Sequence, residues 1–295
     1  MKRKTGNIKS ITRLFVFLFC GVLFTASYPM QESSIIASGT GIELTWKLFE
    51  NGTLTISGNS FGNGFGIIPY YSFEIDVPWY RYRDDITNVM IGNDIVLIDY
   101  SLLLGYSAFR SCTGLMSIDV DNNNTAYCSE DGVLFNKTKT TLMIYPAGKT
   151  GAYNIPNSVT SIGNYTFQGC TGLTSVTIGN SVTDIGACAF SYCTGLTSVT
   201  IPKSVTSIES SAFYGCSGLT SVTIPNSVTR IGMGALGGCS GLTEIINEST
   251  VPQDIYISVF FGKDISTCTL RVPAAAIDAY SEAEVWKNFG NIVAI

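Results

Sequence analysis

The chain has 295 residues, 22 acidic and 17 basic, for a formal net charge of −5, and it contains no histidine. Excess negative charge argues against nucleic acid and anionic lipid as partners, since binding either rests on Lys and Arg neutralising phosphate. The missing imidazole removes the commonest general base, the commonest metal ligand and the usual activator of a serine or cysteine nucleophile, so no enzyme, cofactor or metal site is expected.

In chain order, Lys2, Arg3, Lys4, Lys9 and Arg13 come first and an apolar run over residues 14–24 follows. Charge followed by a short hydrophobic stretch is the order of a secretory signal peptide, and the run falls short of the ~20 residues a bilayer span takes. Cys20 follows Phe19, where a lipid-anchoring motif needs a small residue, so it reads as part of the removed segment. Cleavage after Ala26 or Ser27 assigns residues 1–27 to the signal peptide and leaves 12 Lys+Arg against 22 Asp+Glu. No second run of spanning length follows, so the mature chain is expected outside the membrane it crosses, secreted or at the cell surface, without a transmembrane segment.

Residues 28–85 read as an N-terminal cap. Its strands, Leu44 to Leu48 and Leu54 to Ile56, flank Asn51 and Gly52, a strong hairpin signal. The glycine-rich stretch Gly62, Gly64, Gly66 lacks a following Lys-Ser/Thr and a helix start, and reads as a loop rather than a phosphate cradle. Residues 86–246 read as a solenoid. Its first coil is degraded, with Val89, Ile91, Phe109, Cys112, Leu115 and Ile118 at the repeat positions and an insertion near residues 100–106. A hairpin inserted at 120–157 interrupts the array, with Val133 to Phe135 against Leu142 to Tyr145, and the coil resumes at Tyr153 and Ile155. Asp119, Asp121, Asn123 and Glu130 match the ligand spacing of an EF-hand loop, but Asn124 stands where glycine is wanted and the flanks are strands, so the match reads as accidental.

From Ser158 the chain repeats every 23 residues, with Cys170, Cys193, Cys216 and Cys239 marking the period. A period in the twenties is the signature of a leucine-rich-repeat coil. Val159, Ile162, Phe167, Cys170, Leu173, Val176 and Ile178 recur in the next two copies, and the last copy keeps most of them, with Leu236 replacing the phenylalanine. One coil cannot bury this set, whereas stacked coils place each residue over its counterpart and build a continuous core. Leu173, Val176 and Ile178 define a short strand in a parallel sheet on one face, at about 4.8 Å from the next. Pro202 and Pro225 end two such strands. The Thr/Ser-Gly pairs ending in Gly172, Gly195, Gly218 and Gly241 read as turns using positive φ. The cysteine column reads as reduced core packing, because parallel Cβ vectors and two identical neighbours select no pair. Cys188, whose counterparts are Tyr165, Ser211 and Gly234, stands outside that column. Residues 247–295 form a C-terminal cap, with a strand from Cys268 to Val272 and a helix over about 274–289 carrying Ile277, Tyr280, Trp286 and Phe289 on its apolar side.

With the tandem units in hand, the chain resembles the BspA-like leucine-rich-repeat surface proteins of Bacteroides-like bacteria. Residues 129–136, Tyr145 to Gly148, and the end segment from Thr267 to Phe289 are also similar to that family. The cap strands and the run Pro78, Trp79, Tyr80 look like its N-terminal cap, although a cysteine often found there is missing at Ser38 to Gly41. The resemblance implies a β-rich solenoid with capped ends, a secreted or surface location, adhesion to host matrix protein, and no common catalytic site.

Candidate ligand positions fall in two groups. The sheet's outward residues are Ser175 and Thr177, Ser198 and Thr200, Ser221 and Thr223, then Glu244 and Ile246. A Ser/Thr array is first a soluble β surface, and it is also the face that repeat proteins present to partners. Aromatic residues concentrate in the cap at Tyr70, Tyr71, Trp79, Tyr80 and Tyr82. Exposed, Trp79 and Tyr80 would make a hot spot; buried, they seal the first coil, which is the favoured reading. The expected partner is an extracellular protein or glycan, and the alternative is a structural spacer that binds nothing by itself.

Overall fold

The computed structural model describes residues 33–41, 44–58, 66–68, 78–98 and 109–295, and Ile35–Ile295 form one compact unit. The signal segment, Tyr70, Tyr71, the loop from Gly62 to Gly64 and the insertion near residues 100–106 lie outside the described residues. Among the described residues no helix is long and apolar enough to cross a membrane.

The chain opens with strands β1 (Ile35–Gly41), β2 (Leu44–Phe49) and β3 (Thr53–Gly58) in an antiparallel meander. Leu44, Trp46 and Leu48 alternate inward on β2, as do Leu54 and Ile56 on β3, the period of two that a half-buried strand requires. Gly52 turns the expected hairpin at φ 77°, and the Asn51 side chain accepts from the Thr53 amide at 3.0 Å. The first strand adds to what the sequence suggested. Its Gly39 pairs with Trp46, whose indole lies over the glycine and would clash with a Cβ there. After β4 (Gly66–Ile68), strands β5 (Asn88–Ile91), β6 (Ile95–Ile98) and β7 (Ser117–Val120) begin the coils. Strands β3, β5 and β7 pair in parallel, so the cap and the first coils share one sheet.

The inserted hairpin is a three-stranded meander of β8 (Tyr127–Glu130), β9 (Val133–Asn136) and β10 (Thr141–Ile144). Its extra turn is Asp131 and Gly132, both at positive φ, a hairpin dipeptide overlooked beside the EF-hand spacing. The loop before it has a structural job. Buried Asn124 donates to the Gly92 and Ile95 carbonyls at 2.8 and 2.7 Å and accepts from the amides of Ala126 and Tyr127 at 2.9 and 2.8 Å, while Glu130 bonds Lys139 at 2.8 Å.

The coil resumes at β11 (Gly151–Asn154) and then alternates short and long strands. These are β12 (Ser161–Ile162), β13 (Leu173–Thr177), β14 (Asp184–Ile185), β15 (Ser198–Thr200), β16 (Ser207–Ile208), β17 (Ser221–Ile224), β18 (Arg230–Ile231) and β19 (Glu244–Asn247). The odd-numbered strands stack into the expected sheet. The even-numbered ones form a second parallel sheet, continuous with the meander in the order β18-β16-β14-β12-β10-β9-β8, so the coil carries sheets on two sides and not one. Its strands are two residues long, too short to show alternation in the sequence.

The third side of each coil is laddered without regular strands. The amides of Tyr165, Phe167 and Gly169 donate to the carbonyls of Ala187, Ala189 and Ser191 at 3.0, 2.7 and 2.8 Å, and the next coils repeat the pattern. Between the three sides runs a core of identical columns. Phe167, Phe190 and Phe213 stack at centroid distances of 4.7 and 5.1 Å with ring planes within 6° of parallel. Beside them the thiols of Cys193, Cys216 and Cys239 donate to the carbonyls of Phe167, Phe190 and Phe213 at 3.0–3.1 Å. Each thiol thus satisfies an acceptor in the coil before it. Burial pushes Cys193 well above its usual 9.0 and Cys239 up to about 11, and all eight described cysteines are free.

The turn glycines need a correction. Gly172, Gly195, Gly218 and Gly241 do not adopt positive φ. A Cβ on the last three would run into the carbonyl oxygens of Thr171, Thr194 and Ser217, and one on Gly172 into the Thr150 side chain, so close approach of neighbouring coils, not backbone sign, excludes a side chain. Positive φ falls in two other columns: Tyr165, Cys188, Ser211 and Gly234 at 54–67°, and Gly169, Tyr192, Gly215 and Gly238 at 60–71°.

The C-terminal end is strand β20 (Thr269–Val272), helix α1 (Ile277–Glu282) and strand β21 (Asn291–Ala294), the strands extending the long sheet in parallel. The expected helix over 274–289 ends at Glu282, where Ala283 turns extended. At about 100° per residue, a continuous helix would place Trp286 roughly 120° away from Tyr280. The break returns Trp286 to the core, where it meets Tyr280 edge-on at 5.5 Å and donates to the Gln253 carbonyl at 2.9 Å.

Candidate binding surface

The first candidate group is assembled by strand register. Ser175, Ser198, Ser221 and Glu244 pair in succession, and Thr177, Thr200, Thr223 and Ile246 do the same one pleat further on. Thr177, Ser198 and Thr200 are exposed, while Ser175, Ser221, Thr223, Glu244 and Ile246 are half-buried. Val176, Val199, Val222 and Ile245 between the columns point inward and fix the sheet to the core. The array is rigid because each β-branched threonine has few rotamers and each strand is held on both edges. Its far end is charged: Arg271 bonds Glu244 at 2.5 Å. Elsewhere the face is neutral, so it favours partners recognised by shape and hydroxyl hydrogen bonds over long-range steering.

A further ladder escaped sequence reasoning. The hydroxyls of Thr197, Thr220 and Thr243 donate to the carbonyls of Thr174, Thr197 and Thr220 at 3.2–3.3 Å. Threonine recurs there because it caps the neighbouring coil. The repeat itself was the available signal.

The second group does not form an exposed site. Trp79 is 1% exposed, packed edge-on against Trp46 at 6.5 Å and stacked on Phe109 at 6.0 Å. Its flat apolar surface is used to seal the first coil, which removes it from the candidate surface. Tyr82 packs on Trp46 at 6.1 Å. Tyr80 is half-buried, and the Arg83 guanidinium sits 4.5 Å from its ring centroid, occupying one face.

Exposed aromatic surface lies instead on the laddered side of the last coils. Tyr192 is 48% exposed and Phe261 66%. The Tyr192 and Tyr214 rings meet at 5.6 Å and 77°. Sequence reasoning passed over both because they stand at positions that vary between coils.

Among the described residues no group of three or more Cys, Asp or Glu side chains could hold a metal ion. Core thiols are held neutral by burial, and the surface carries patterned hydroxyls and aromatics on a fixed frame. Such a molecule is a leucine-rich-repeat solenoid, β-rich and capped at both ends. Residues 148–267 match the BspA type leucine rich repeat region in six copies. The solved structure of the pneumococcal vaccine antigen PcpA shares the fold, with a TM-score of 0.58 and 23% identity over 71% of this chain and 56% of that one. The present chain therefore spans just over half of that structure's length. A leucine rich cell surface protein from Faecalibacterium prausnitzii matches with a TM-score of 0.47 and 18% identity over 88% of this chain and 94% of that one. A leucine-rich repeat protein from Bacteroides ovatus matches at 0.40 and 20% over 87% and 78%. No curated protein matches the chain.

Proposed function

We propose that this chain is an exported module of the cell surface or its surroundings that binds an extracellular protein or glycan and performs no catalysis. The observation carrying this reading is the register-held sheet face: three successive coils present the same Ser/Thr pair with no charged side chain among them. A surface repeated at coil spacing gives low-energy, multi-point contact to an extended or repetitive ligand. The N-terminal order of charge and hydrophobe supports export, and the BspA-type repeats are in keeping with it. Nucleic acid is disfavoured by the net negative charge.

The test is binding of residues 28–295 to immobilised matrix proteins and mucin glycans. Saturable binding to a member of either class supports the module; absence of binding across the panel transfers the assignment to a structural spacer.

A further inference from the structure

The long sheet ends at β21, and its last edge is open. Successive residues of a strand turn their backbone N–H and C=O to alternate sides. The amides of Asn291 and Ile295 donate back to the Cys268 and Val272 carbonyls at 3.4 and 2.9 Å, and β21 pairs with β20 alone. Ile292 and Ala294 therefore direct their N–H and C=O away from β20, with no strand among the described residues to receive them. The C-terminal cap closes the core beneath, where Tyr280, Trp286 and Phe289 are buried, but it does not cover the edge: Ile292 is half-buried, Ala294 exposed and Ile295 63% exposed.

Sheet edges are normally blunted by charge, proline, bulges or shortness, because an open row of donors and acceptors recruits another strand. Elsewhere in this fold such devices are in place. Strand β1 slips register between Ile35 and Ala37, and β18 is two residues long and includes Arg230. Strand β21 has none of them. Its run Asn291, Ile292, Val293, Ala294, Ile295 is uncharged, lacks proline and is rich in the β-branched residues that favour strands, and its pairing with β20 shows no register shift.

The same strand of a second copy satisfies this edge. Placed antiparallel about a twofold axis at Val293, it sets Ile292 of each copy opposite Ala294 of the other. These are the residues whose backbone groups point outward, so both pairs are hydrogen-bonded and four N–H···O=C bonds close together. A slip of one residue turns free groups against bound ones, and a slip of two leaves one bonded pair within the strand. On the axis Val293 meets its own counterpart as a non-bonded pair, where Cα atoms approach to about 4.5 Å and β-branched side chains pack well. No like charges face each other, since β21 carries none and Arg271, the neighbour of Val293 on β20, is already bonded to Glu244. A foreign strand would have to match this register and polarity, whereas a second copy does so by symmetry.

We propose that two copies of this chain join through β21 into an antiparallel dimer in which the two long sheets are continuous. The axis stands normal to the sheet, so the Ser/Thr faces of both copies lie on one side, and a repetitive ligand meets them twice, with the gain in avidity that two linked sites give. One strand pair is a small interface, so the association is reversible and concentration-dependent. The dimer does not depend on whether that face binds a ligand.

The experiment is sedimentation velocity of residues 28–295 without ligand, over roughly a hundredfold range of concentration, for the unmodified protein and for Ala294→Pro, Val293→Lys and Val293→Glu. Proline at 294 removes an amide that the single copy does not use, which an edge strand tolerates. Val293 shares the outer face with Arg271, so the charged variants leave the core untouched, and circular dichroism checks that all three fold. The unmodified protein is expected to dimerise as concentration rises, and each variant alone to associate at least tenfold more weakly. An equimolar mixture of Val293→Lys and Val293→Glu is expected to recover the dimer, because opposite charges then meet on the axis. A monomer at every concentration overturns the proposal and leaves the edge to a strand of another protein. Association unchanged by Ala294→Pro overturns it, as does a Lys/Glu mixture that stays monomeric.

Discussion

Gly195→Ala puts the coil-packing argument at risk. The new methyl would point at the Thr171 carbonyl oxygen of the preceding coil, with the Leu173 carbonyl oxygen 3.1 Å away. Both obstacles are backbone and cannot rotate aside, so the coils must separate locally. Overpacking of this kind costs about 1–3 kcal/mol. Separation also lengthens the bond from the Thr197 amide to the Thr174 carbonyl, already 3.3 Å, with a net contribution of about 0.5–1.5 kcal/mol. A loss of about 2–4 kcal/mol follows, which for a domain of this size lowers Tm by roughly 5–10 °C. Differential scanning calorimetry and urea unfolding measure it directly. Ser211→Gly is the matched control, since Ser211 sits at φ 56° and glycine relieves roughly 1 kcal/mol there, so Tm should rise. A Gly195→Ala protein within 0.5 kcal/mol of the parent would refute the close-approach reasoning.

Trp79→Ala should lower stability by about 3–5 kcal/mol because the indole is buried between Trp46 and Phe109; chemical denaturation reads the loss, and a stable variant would show the cap is not sealed there. In the native protein, maleimide should label Cys128 and Cys188, which are half-exposed, well before the buried column, whose thiols burial holds neutral; mass spectrometry of partially labelled protein gives the order. Stability should fall in alkali. Tyr145 and Tyr280 are pushed up to about 12 from 10.0, and Cys239 to about 11 from 9.0, chiefly by burial. Between pH 9 and 12 the unfolded chain therefore releases protons that the folded chain keeps, which lowers the unfolding free energy as pH rises. Circular dichroism at fixed urea follows this, and a flat profile to pH 11 would contradict it.

Much of the fold was legible because each core position is a column of one residue type. The recurrence of Phe167, Cys170, Leu173 and Val176 forces stacked coils before any strand is assigned. What was not legible depends on distances between coils or on breaks in the pattern. Gly195 and Gly238 look alike in the sequence, yet one is needed for clearance and the other for its positive φ. The second sheet rests on two-residue strands without alternation, and the end of α1 at Glu282 comes from the demand of Trp286 for the core. The Ser/Thr columns were readable because register follows from the repeat. The exposure of Tyr192 and Met233 was not, since attention to what recurs discards what varies.

The most direct test of the account is surface plasmon resonance of residues 28–295, unmodified and as Ser198→Lys/Thr200→Lys, against a matrix protein or mucin glycan. Two lysines at the centre of the neutral face block close approach without touching the core, since both positions are exposed. Saturable binding by the unmodified protein, reduced at least tenfold in a variant that keeps its Tm, is the expected result. Equal binding by the two proteins would contradict the assignment of the Ser/Thr face as the surface this solenoid presents.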